Sequence, residues 1–119
     1  IKIGMLHDED VIRHVAGAMV QLRPPIVLDP VMIATSGAAL IAPDAVAAMR
    51  ARLFPLATLI TPNLPELAAL AGRPLADTEA MIDAAEELAS ATGAAVLAKG
   101  GHGDGDRITD VLIVPGARA

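Results

Sequence analysis

Short apolar runs alternate along this chain with longer stretches whose apolar residues recur every three or four positions. Residues 1–6, "IKIGML", read as a buried strand. Asp8, Glu9 and Asp10 then place three acids where a helix dipole favours negative charge. Val11, Ile12, Val15, Met19 and Leu22 follow at helical spacing, and the pair Pro24–Pro25 ends that helix. "IVLD" (26–29) predicts a second strand, and "PVMIATSGA" after it a loop punctuated by Pro30 and Gly37. A helix is expected over 43–53, with Pro43 near its start. "ATLIT" (57–61) is the third strand, and "LPELAALAG" a short helix closed by Gly72. The clearest helix is 77–93, where Met81, Ile82, Ala85, Leu88 and Ala89 share a face and Gly93 is the stop. "AAVLAKGG" (94–101) predicts a fourth strand running into a glycine turn. "GDGDR" (103–107) is a loop or hairpin tip, and "DVLIVP" (110–115) a fifth strand.

Strands alternating with helices imply βαβ units, right-handed crossovers and a mostly parallel sheet in an α/β fold. The first four strands are apolar throughout, as expected of strands covered on both faces. With 119 residues and no internal repeat or linker, 1–119 is expected to be a single domain.

Composition narrows the function classes. The net charge of −5 leaves no basic footprint for nucleic acid, and Phe54, the one aromatic residue, offers no series of stacking platforms. Cysteine is absent, which removes disulfides, thiolate zinc sites and a thiol nucleophile. No uninterrupted apolar run approaches the roughly 20 residues that span a bilayer.

In open α/β sheets, ligands bind beyond the carboxyl ends of the strands. Those ends carry Gly4–Met5, Asp29, the pair Asn63 and Glu66, and Lys99 with Gly100 and Gly101. Such a rim suits Mg²⁺ held through carboxylates and water, with lysine and backbone N–H groups facing phosphate. Each part also has a structural explanation. Asn63 fits a helix N-cap and Glu66 its third-position partner, with Pro65 harmless in the first turn. Asp29 fits a turn and Lys99 a solvated strand end. Met5 and Met32 fit core filling, and His7 and His102 loop positions, while His14 has no second ligand at metal spacing. Taken alone, "NLPE" reads better as a cap than as a metal site. The conjunction favours phosphate, because charge at the ends of buried strands is costly without a partner.

"KIGML", "IVLDPVMIATSG", "LATLITPNLPELAALAG" and "AVLAKGGHGDGD…DVL" together resemble the hydroxymethylpyrimidine/phosphomethylpyrimidine kinases of thiamine biosynthesis, in the ribokinase-like superfamily. The resemblance runs almost the whole length of the chain. Pyridoxal kinases share the first two patterns more loosely and generally lack the lysine of "KGGH", so they rank second. The resemblance implies a three-layer sheet flanked by helices, incomplete at both ends. It implies transfer of the ATP γ-phosphate to the hydroxymethyl group of the pyrimidine, and then a second phosphorylation of the monophosphate.

Carried over by position, Asn63 and Glu66 match the family's N-x-x-E motif, which organises Mg²⁺ and its waters around the ATP phosphates. Asp29 lies near the same phosphates and metal. Lys99 contacts phosphate oxygens, Gly101 allows close backbone approach, and Met5 and Val31 line the pyrimidine pocket. The implied ligands are ATP, Mg²⁺ and a small pyrimidine, with no nucleic acid or membrane partner. A cytoplasmic location and a homodimeric full-length protein are expected.

The family's N-terminal glycine-rich segment and its downstream "GTGC"-type loop have no counterpart among these residues. The anion hole and the residue at the reacting hydroxyl are therefore unassigned. The chain is expected to be the central segment of a kinase, inactive by itself and prone to associate through exposed sheet edges. The alternative from another class is a nucleotide-binding module that keeps the rim without catalysis.

Overall fold

A computed structural model describes residues 1–4, 6, 8–31, 43–100 and 109–115. Among them are β1 (Lys2–Ile3), α1 (Glu9–Leu22), β2 (Val27–Leu28), α2 (Pro43–Arg52), β3 (Leu59–Ile60), α3 (Leu64–Ala71), α4 (Thr78–Thr92), β4 (Ala95–Ala98) and β5 (Val111–Ile113). The sheet order is β1-β2-β3-β4-β5. The first four strands run parallel, and β5 returns antiparallel to β4, with Ala98 opposite Val111. Residues 101–108 between these two strands, including the "GDGDR" stretch read as a loop or hairpin tip, lie outside the described residues.

Every parallel step goes to the next strand in the same direction. Right-handed crossovers taken always in one direction lay all their helices on one face of the sheet. Burial follows that rule. Ile3, Leu28, Ile60, Val96 and Ala98 point into the helix layer and are buried. Their neighbours Val27, Leu59, Ala95 and Leu97 are only half-buried, Lys2 is exposed, and Leu112 is 59% exposed. The described residues thus supply a sheet and one helical layer of the expected three, although the strands are apolar on both sides.

Helix ends are set by side chains that the sequence places there. Asp8 and Asp77 cap α1 and α4 by accepting from the N–H groups of Val11 and Ala80, at 2.9 and 2.8 Å. Gly72 and Gly93 close α3 and α4 in the left-handed region, with φ of 71° and 77°. α1 stops one residue before its prolines. Arg23 takes φ 50° and donates its N–H to the Met19 carbonyl. Ile12 and Ala16 centre the buried stripe of α1, which puts Val11 (39% exposed) and Leu22 (70% exposed) at its margins. Between α2 and β3 the chain makes a 3-10 turn, Phe54–Leu56, which buries Phe54.

α3 and α4 are tied by a two-pronged ion pair, Arg73 Nη1 and Nη2 to Glu87 Oε2 and Oε1 at 2.9 and 3.0 Å. The hydrogen bond from Arg73 holds the Glu87 carboxyl below the ordinary glutamate value. A lowered folded value means the contribution is present above the ordinary value and is lost as pH falls through the folded one. The pair is exposed, so the contribution is small and screened by salt. Glu87→Gln should therefore lower the melting temperature slightly at neutral pH and low salt. The two melting curves should converge once acid has protonated Glu87 in the parent.

Candidate site at the carboxyl rim of the sheet

Three adjacent strands end on one rim. Asp29 follows β2, Asn63 follows β3 and Lys99 follows β4. An isolated parallel bridge between Asn63 and Lys99 carries the β3–β4 pairing out to the site, and the Lys99 N–H donates to the Pro62 carbonyl at 2.9 Å. On the other side, the Thr61 N–H donates to the Leu28 carbonyl at 3.0 Å. The backbone under the rim is therefore fixed by sheet hydrogen bonds, which favours accurate placement of its side chains.

Asn63 and Glu66 form a complete capping box. The Glu66 N–H donates to Asn63 Oδ1 at 2.8 Å, and the Asn63 N–H donates to Glu66 Oε1 at 2.9 Å. Pro65 sits in the first turn of α3, where a missing N–H costs nothing. The structural reading of "NLPE" is thus realised in full. It also leaves a carboxylate that is only 3% exposed at a helix N-terminus, on a rim of strand ends. Among the described residues no buried side-chain polar atom lacks a hydrogen-bond partner.

Lys99 and Asp29 meet across β3, Nζ to Oδ2 at 3.7 Å. Their strands are two apart, about 10 Å of backbone separation, so the long lysine arm reaches over Thr61 to the carboxylate. Alternation makes this possible, because residues 29, 61 and 99 all point to the face that the helices leave open. A depression of about 450 Å³ opens there, with Val27 and Leu97 as its apolar floor and Lys2, Asp29, Thr61 and Lys99 as its polar wall. Lys2 and Thr61 were missed in the sequence. The signal for both was the two-residue period that puts them on the side of Asp29 and Lys99.

Val31 is half-buried beside this rim, with its N–H donating to the Asp29 carbonyl at 2.8 Å. Met5 and Gly101, expected to line the pyrimidine pocket and to approach phosphate, lie outside the described residues, as do His7, Met32 and His102. His14 is exposed on α1, with Nδ1 against the Asp10 carbonyl at 2.7 Å. Among the described residues no three His, Cys, Asp or Glu side chains converge as a metal cluster, and no helix is long and apolar enough to cross a membrane. A larger depression, about 690 Å³, lies over α4. It is walled by Asp83, Glu86, Glu87 and Arg73, gathers no strand ends, and has an acidic balance unsuited to phosphate.

Comparison with known proteins places the fold in a family. The family described as phosphomethylpyrimidine kinase matches residues 1–119. The hydroxymethylpyrimidine/phosphomethylpyrimidine kinase of Rhizobium meliloti (strain 1021) is 46% identical over 113 residues, covering 94% of this chain and 42% of that protein. A crystal structure of phosphomethylpyrimidine kinase from Clostridium difficile 630 superposes with a TM-score of 0.87 at 35% identity, covering 97% of this chain and 50% of that one. An ADP complex of Bacillus subtilis pyridoxal kinase superposes with a TM-score of 0.83 at 35% identity, covering 95% of this chain and 43% of its own. The chain thus spans half or less of the length of these relatives.

Proposed function

This chain belongs to the phosphomethylpyrimidine kinase family, and on that premise we propose that it is the central segment of a kinase domain acting in the cytoplasm. The reaction is transfer of the ATP γ-phosphate to a hydroxymethylpyrimidine and then to its monophosphate. The observation that carries the reading is the convergence of Asp29, the Asn63–Glu66 box and Lys99 on three neighbouring strand ends. Phosphoryl transfer asks little covalent chemistry of a protein. It asks for positioning and for neutralisation of phosphate charge.

Lys99 supplies a cation to the ATP phosphates, and in their absence Asp29 is its partner. The N-terminus of α3 adds the positive end of a helix dipole to the same rim. The donor set also fits Mg²⁺, which takes oxygen ligands, keeps several waters and needs one or two carboxylates. Asp29 and Glu66 would hold that ion, which when bound neutralises charge on the transferring phosphate. Asn63 keeps Glu66 oriented through the box. Val31, with Met5, would border the pyrimidine.

The test is an assay of the complete reading frame with Mg-ATP and 4-amino-5-hydroxymethyl-2-methylpyrimidine. Lys99→Met should raise KM for ATP about tenfold, the size of one charge-assisted contact, with KM for the pyrimidine nearly unchanged. Phosphorylation of pyridoxal in strong preference to the pyrimidine would move the protein to the second reading, which the likeness to pyridoxal kinases supports. Mg-ATP binding without transfer to either would leave a nucleotide-binding module.

A further inference from the structure

Beyond the last ladder pair of β4 and β5, Ala98 with Val111, the two strands press together. Gly100 is buried there, and a Cβ on it would overlap the Thr109 carbonyl oxygen. Only glycine permits that approach. Its N–H donates to Asp110 Oδ1 at 3.0 Å. Asp110 is otherwise an exposed residue just ahead of β5, with no role in the nucleotide site described above.

The geometry points to Asp110 as a positioning residue for Lys99, acting through the Gly100 N–H. Both peptide groups flanking Lys99 are held. The one before it donates its N–H to the Pro62 carbonyl, and the one after it donates to the Asp110 carboxylate. A lysine has four rotatable side-chain bonds, so where its ammonium points depends on how firmly its backbone is held. With both peptides fixed, the arm is directed across Thr61 toward Asp29. Asp110 also occupies the first backbone donor after Lys99. A phosphate could not use that donor without displacing a carboxylate of its own sign. This inference rests on the kinase reading, since it assigns Lys99 to nucleotide.

Two variants of the complete protein test it. Asp110→Ala should raise KM for ATP about five- to tenfold, the size of one ordinary hydrogen bond, with KM for the pyrimidine unchanged. Asp110→Asn keeps an Oδ1 acceptor and should stay within about twofold of the parent. Hydrogen exchange at the Gly100 amide should speed up in the first variant and not in the second. If Asp110→Ala does not fold, Asp110→Glu keeps the charge but moves the acceptor, and should give the same change in a milder form. The assignment is overturned if Asp110→Ala lowers the melting temperature and leaves KM for ATP alone, which is a structural role only. It is also overturned if Asn is as harmful as Ala, which makes charge rather than the hydrogen bond decisive. Should the parent transfer no phosphate, the kinase reading fails separately. Affinity for Mg-AMP-PCP by calorimetry then judges Asp110 by the same pattern across the variants.

Discussion

Glu66→Gln should leave the protein folded and cost about 10–100-fold in activity, the usual range when a group that orients metal or its waters is altered. The amide keeps an oxygen for the Asn63 N–H, so the box at the start of α3 persists. What disappears is the negative charge at the rim. Glu66→Ala removes both. It should show the same loss of activity together with a cap penalty of about 0.5–2 kcal/mol, because the Asn63 N–H loses its acceptor. Measuring kcat and the melting temperature for both variants separates the two roles. A capping residue without chemistry would give a Gln variant with full activity, and that result would remove Glu66 from the site.

Phe54→Ala should be the most damaging core substitution, at about 3–5 kcal/mol. Phe54 is 1% exposed, the sole aromatic residue, and fixed in the 3-10 turn that joins α2 to β3. Its neighbours in the core include many alanines, which have no rotamers with which to close a cavity. The loss is a large fraction of the roughly 5–15 kcal/mol that holds an ordinary domain together. Urea denaturation of the complete protein, comparing Phe54→Leu with Phe54→Ala, measures it. A loss below about 1 kcal/mol for Ala would show that the turn collapses freely onto the core.

Much of this architecture was legible because it is written in local chemistry. Asp77 and Gly93 bound α4 within a residue of expectation, and Asn63, Glu66 and Gly72 bound α3. The rim was legible because a parallel sheet sends all its strand ends the same way. Other features depend on distant residues. The pairing of Lys99 with Asp29 needs the strand order as well as the strands, since β3 must lie between them. The 3-10 turn at Phe54 and the left-handed Arg23 carry no strong sequence signal, since neither depends on glycine. Asp110 looked like the start of a strand because its partner is a backbone N–H ten residues away. The apolar residues at 27, 59 and 97 suggested strands covered on both sides, but composition records what a face can bury and does not say which neighbour buries it.

The parallel run of β1 to β4 separates the two ends of this molecule by task. Connections that leave the strands carry Asp29, Asn63 and Lys99, and those that return from the helices carry C-caps and turns such as Arg23, Ala57–Thr58 and Gly93–Ala94. A change in one set is buffered from the other by the length of a strand. Changes in the return loops therefore leave the rim chemistry undisturbed. On the kinase reading, selection for a different acceptor molecule can rework the opposite end without refolding the sheet. A layout of this kind lets closely related catalysts diverge in substrate while sharing one frame.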